Sequence, residues 1–178
     1  MLSHSRGSQA KGQSTRLRYV LLLSLLLLSV ALLQVTLLSR YRLFDSVPDL
    51  MLCTVVCIGF FSGAQIGAIC GIAGGFLIDA LGSFGISILP VFYLLCGYVV
   101  GHYARAVYPK RITAYAIYAF FSIILREGAS LTLAAATYDS VNLPKILLYS
   151  VLPESLLTLA MALLCYFPMK FILARIER

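Results

Sequence analysis

Tryptophan is absent from the 178 residues, histidine occurs twice, and only 12% of the side chains are charged, with seven acids against fourteen bases. So little charge excludes an ordinary soluble domain, in which about a quarter of residues are charged. Without tryptophan, tyrosine has to supply the aromatic belt at the membrane interfaces, and Tyr19, Tyr41, Tyr103, Tyr108, Tyr138 and Tyr166 lie near the ends of apolar runs. The signatures H-E-x-x-H, G-x-S-x-G and the phosphate-binding lysine loop are missing, so neither catalysis nor a cofactor is expected. His4 and His102 are remote in sequence from Cys53 and Cys57, and there is no C-x-x-C pair, which argues against a metal site. With Cys70, Cys96 and Cys165 the thiols number five, all inside apolar runs, and read as packing groups rather than a disulfide framework. The net charge of +7 lies in short flanks beside apolar runs, so the counter-charge expected is anionic lipid and not nucleic acid.

What is present is hydrocarbon: 61% hydrophobic residues and a mean hydropathy of +0.94. Several runs approach the roughly 20 apolar residues needed to cross a bilayer as helix. The expected fold is an all-α polytopic membrane protein with about six transmembrane helices in one bundle. Residues 1–18 read as a disordered basic cytoplasmic tail, 19–172 as the bundle and 173–178 as a basic cytoplasmic end. The spans are expected at about Tyr19–Leu38, Pro48–Phe61, Gly63–Leu81, Ile86–Tyr103, Ile112–Thr137 and Pro153–Phe167, with an interfacial or re-entrant piece at 143–152. The first apolar run is too long for the core of a signal peptide. Pro48 and Asp49 form a helix start, since proline suits the first turn and an acid favours the positive end of the helix dipole. With six spans, ten basic residues flank one side and only Arg40, Arg42 and Lys145 the other, which places both termini in the cytoplasm.

Ten of the thirteen glycines fall between Gly59 and Gly101, and Gly63, Gly67, Gly71, Gly75 and Asp79 stand on a strict four-residue ladder. On a helix this is a groove that admits another backbone, the chief source of close packing where lipid removes the hydrophobic drive. Asp79, Arg126 and Glu127 are charges within spans, each costing roughly 2.5 to 3.5 kcal/mol on insertion. Arg126 and Glu127 are neighbours about 100° apart on a helix, so at least one should reach another helix. Asp79 either bridges to Arg126 or is hydrated at the interface, and Glu154 reads as a helix-start residue.

The order of these features resembles the rod shape-determining MreD family. The residues that carry the likeness are Pro48-Asp49-Leu50, the run from Gly71 to Gly85, Gly97-Tyr98, Glu127 and a last span opened by Pro153. The resemblance implies a non-catalytic inner-membrane scaffold of the bacterial cell-wall elongation complex. Its partners would be an MreC-like protein, the MreB filament, RodA and a class B penicillin-binding transpeptidase. It also implies a fold similar to the substrate-binding subunit of energy-coupling-factor transporters, so the alternative is a vitamin-binding subunit of such a transporter. The basic tail and Arg126 beside the family-like acid depart from the pattern.

Overall fold

The computed structural model describes residues 3–38, 48–82, 89–106, 111–137 and 151–176. They form six α-helices: α1 (Ser3–Leu33), α2 (Leu50–Ser62), α3 (Ala64–Gly82), α4 (Leu89–Ala104), α5 (Ile112–Thr137) and α6 (Leu152–Ile176). A π-helical segment, Gln34–Leu38, extends α1. There is no strand among the described residues. Four helices hold stretches long and apolar enough to cross a membrane, at Leu17–Thr36, Ala64–Leu81, Ile112–Ala129 and Leu152–Leu173. The all-α membrane bundle is therefore present, with two of the six expected spans falling short of that length.

The shorter of those two, α2, has 13 residues, about 20 Å of helix. Every residue from Leu50 to Phe60 is buried, so α2 is walled by protein where a lipid-facing span would need more length. Its start is fixed by Asp49, whose Oδ1 accepts from the N–H of Leu52 at 2.9 Å, satisfying a donor left free in the first turn. Its end is fixed by Gly63, at φ 97°, a left-handed backbone favouring glycine, whose N–H donates to the Gly59 carbonyl. Gly63 thus breaks the chain between two helices instead of opening a groove on one.

The rest of the ladder is a groove, and it is filled. A Cβ on Gly71 would strike the Tyr93 backbone, one on Gly75 the Pro90 backbone, and one on Gly67 would lie 2.7 Å from the Cα of Gly59 while also meeting the Gly97 carbonyl. On α4 the matching positions are Gly101 against Gly63 and Ala64, then Gly97, Tyr93 and Pro90. As α3 is followed from Ala64 to Gly75, its neighbour on α4 retreats in matching steps, so the two helices run antiparallel in close register. The helix that the groove admits is the chain's own α4.

α5 spans Ile112–Thr137, as its apolar run predicts. α6 does not stop at Pro168 as expected; it continues to Ile176 with the proline inside. Proline removes one backbone bond, and packed membrane helices tolerate that loss. α1 begins at Ser3, so the tail expected to be disordered is helical and continuous with the first span, a run free of proline. Tyr166, expected at the interface, is 3% exposed and packs on Tyr115 with ring centroids 5.2 Å apart. The end of the Gly71–Gly85 run beyond Gly82 and the 143–152 piece up to Ser150 lie outside the described residues.

Candidate functional site

Charge gathers at the end of the bundle where α2 begins. Asp49, 1% exposed, is bonded on both oxygens. Besides Leu52, Oδ1 accepts from Gln34 Nε2 at 3.4 Å, and Oδ2 accepts from the Tyr93 hydroxyl at 2.6 Å. Arg126 Nε lies 3.4 Å from Oδ2. The backbone N–H of Asp49 donates to Thr158 Oγ1 at 3.2 Å, and Thr158 donates in turn to the Glu154 carbonyl. Gln34 also accepts from the Met51 N–H at 2.8 Å. Its position on the π-helical segment is where the end of α1 departs from regular α geometry.

Arg126 is the hub. Its Nη1 lies 2.5 Å from Glu127 Oε1 and 2.6 Å from Glu154 Oε1, while Nε faces Asp49. One guanidinium therefore draws together α2, α5 and α6, and through Asp49 also Gln34 of the π segment and Tyr93 of α4. Its five donors in a rigid fork suit such a role better than a lysine ammonium would.

One of three expectations is overturned and two are enlarged. Arg126 does not bridge to Asp79: among the described residues its three ion pairs go to Asp49, Glu127 and Glu154. Asp79 keeps partial exposure in the last turns of α3, and its buried Oδ1 has no hydrogen-bond partner among the described residues. Arg126 reaches other helices, as expected of one of the adjacent pair, and it also meets Glu127, because the long guanidinium arm reaches around the turn. Glu154, read as a helix-start residue, is that and also an Arg126 ligand. Tyr93, Gln34 and Thr158 belong to the site although no sequence signal had singled them out.

The glycines form a second, separate feature, a packing contact internal to the chain. All five cysteines are free thiols, with Cys53, Cys57, Cys70 and Cys96 buried. Among the described residues no group of histidine, cysteine, aspartate and glutamate could hold a metal ion. The polar site's evident physical role is to fix where helix ends meet. No family model, curated protein or solved structure matches the chain.

Proposed function

We propose that this chain is a non-catalytic scaffold of the bacterial inner membrane that supports rod-shaped growth and lateral cell-wall synthesis in the manner of the MreD family. The observation that carries this reading is the convergence of the residues on which the resemblance rests. Of these, Asp49 and Glu127 meet at Arg126, where Glu154 beside Pro153 joins them, while Gly71, Gly75 and Gly97 line the contact between α3 and α4. Features scattered along the sequence are thus the ones holding the bundle together. Both termini lie in the cytoplasm on this reading, following the basic-residue asymmetry.

The partner is the membrane helix of an MreC-like protein, in a complex with MreB, RodA and a class B penicillin-binding transpeptidase. Because α4 occupies the glycine groove, the partner meets outward side chains instead, such as Ile69 and Phe76 on α3 or Phe121 and Ile124 on α5. Depletion in the source cell is expected to give rounded, swollen cells, and photocrosslinkers at Phe76 or Phe121 are expected to capture a single-span protein.

A second reading, the vitamin-binding subunit of an energy-coupling-factor transporter, is favoured by one observation. Arg126 and Glu154 keep side-chain exposures of 22% and 21% beside the buried Asp49, Tyr93 and Glu127, as groups lining a ligand site would. Saturable binding of a vitamin by purified protein, together with normal cell shape after depletion, would establish the transporter and overturn the scaffold.

A further inference from the structure

Charge in this bundle is sorted by end. Asp49, Glu127 and Glu154 meet where α2 and α6 start, and Asp79 lies at the same end, beyond the contact of Gly75 with Pro90. Arg18, Arg105, Arg111, Lys170 and Arg175 are exposed at the opposite end. Followed along α1, α4, α5 and α6, they stand about 18 Å or more from the acids, at about 1.5 Å of rise per residue. Among the described residues none of the five is in an ion pair. The end of α4 carries more than charge. Val91, Leu95, Tyr98 and His102 follow at alternating steps of four and three, so they form one stripe along the helix, and all are exposed. The stripe is graded from aliphatic through phenolic to imidazole, with Arg105 in the turn that follows. Tyr98 stacks on His102 with ring centroids 6.0 Å apart and planes 17° apart, and Tyr103 meets the imidazole edge-on at 5.4 Å. A Cβ on Gly63 would come within 3.1 Å of Arg105 Nη2, so the bare glycine leaves the guanidinium room over the break between α2 and α3. There the negative end of the α2 dipole meets the positive end of the α3 dipole, and the two largely cancel as a counter-charge.

We propose that the outward face of α4 binds one anionic phospholipid, its phosphate held by Arg105 and His102 and an acyl chain lying along Tyr98, Leu95 and Val91. The dimensions fit one leaflet. Val91 to His102 is about 17 Å of helix, against about 15 Å for half of a hydrocarbon core, and Arg105 stands about 5 Å further out, at headgroup depth. A guanidinium fork matches the oxygens of a phosphate, and an imidazole offers an N–H beside it. Tyrosine rings suit the level where chain gives way to headgroup. A zwitterionic headgroup brings its own ammonium to compete with Arg105 for the phosphate, so the site favours a lipid of net negative charge, such as phosphatidylglycerol. This holds for a scaffold and for a transporter alike, and it leaves the outward faces of α3 and α5 to a protein partner.

The chain has no tryptophan, so Val99→Trp, exposed beside the stripe, supplies a single fluorescent reporter. The full-length variant is reconstituted into vesicles of phosphatidylcholine and phosphatidylglycerol in which one lipid or the other carries brominated acyl chains, and quenching gives their relative affinity. The expected preference for phosphatidylglycerol is about fivefold, the order that one arginine near anionic headgroups contributes. On that background Arg105→Gln is expected to bring the ratio close to one, Arg105→Lys to keep most of it and Arg111→Gln to leave it unchanged. His102→Ala, an exposed change that the packing tolerates, should lose part of the preference and serves as the second variant if Arg105→Gln does not fold. Ile124→Trp, the same kind of reporter on α5 near the acids, should show no preference. The proposal is overturned if both lipids quench Val99→Trp equally, or if His102→Ala leaves the preference whole. It is equally overturned if Arg111→Gln lowers the preference as far as Arg105→Gln does, which would mark the general attraction of a basic end instead of a site.

Discussion

Arg126 decides more of this structure than any other single residue, because its side chain meets carboxylates from three helices. Removing one partner from a buried ionic group costs about 3 to 5 kcal/mol, since the groups left behind stay desolvated and unpaired. Arg126→Leu is therefore expected to destabilise the bundle by that order in equilibrium unfolding. Double-variant cycles separate its true partner from the one the sequence suggested. Asp49 and Arg126 should couple non-additively, by about 0.5 to 3 kcal/mol, whereas Asp79 and Arg126 should add independently. Additive losses for Asp49 and Arg126 would remove the hub from the structure. Sequence reasoning identified Arg126 and Glu127 as charges in a span and Asp49 as a helix start. It missed their meeting, because nothing in a linear pattern shows that the starts of α2 and α6 lie level with the middle of α5.

At the scale of elements, the contact between α3 and α4 was half legible. The four-residue spacing of Gly67, Gly71 and Gly75 announces a close approach, and Gly97 and Gly101 repeat that spacing on the helix that makes it. The second pair was the available clue that the groove is closed from within. Gly63 was misplaced because it fits the spacing while its φ of 97° breaks the helix; periodicity alone cannot separate a ladder rung from a helix end. Gly71→Leu or Gly75→Leu is expected to prevent folding, since each side chain would collide with α4 backbone that cannot retreat. Gly128 supplies the contrast: a Cβ there meets nothing within 4 Å among the described residues. Gly128→Ala should fold normally and gain up to about 1 kcal/mol from helix propensity. If Gly71→Leu and Gly128→Ala give the same yield of folded monomer, the α3–α4 register is wrong.

Across the whole molecule, the residues that make the bundle are distinct from those it presents outward. α2 is enclosed, α3 and α4 are locked through glycine, and Arg126 joins the helix ends, while long apolar side chains such as Phe76, Phe121, Leu164 and Phe171 point away from the core. On the proposed reading as a scaffold, partners would exchange on these outer faces without disturbing the chain's own packing. Substitutions therefore sort into two classes. Gly71→Leu should abolish folded protein, and with it the rod shape that the proposed function predicts, whereas Arg126→Leu should lower the yield of folded protein without abolishing it. Phe121→Ala on α5, or Phe76→Ala on α3, should leave the purified monomer as stable as wild type and yet weaken capture of a single-span partner and round the cells if that face is its seat. The separation is read by measuring detergent unfolding, crosslinking yield and cell outline on the same variants. Orientation is checked alongside, with single cysteines at Ser8 and Ser46 in a cysteine-free background. Impermeant thiol reagents are expected to label position 46 and to spare position 8 in intact cells, and labelling at position 8 would overturn the orientation. Should every outward substitution on α3 and α5 leave both capture and shape untouched while core variants round the cells, the partner does not dock on those two faces, and α1 or α6 becomes the surface to probe.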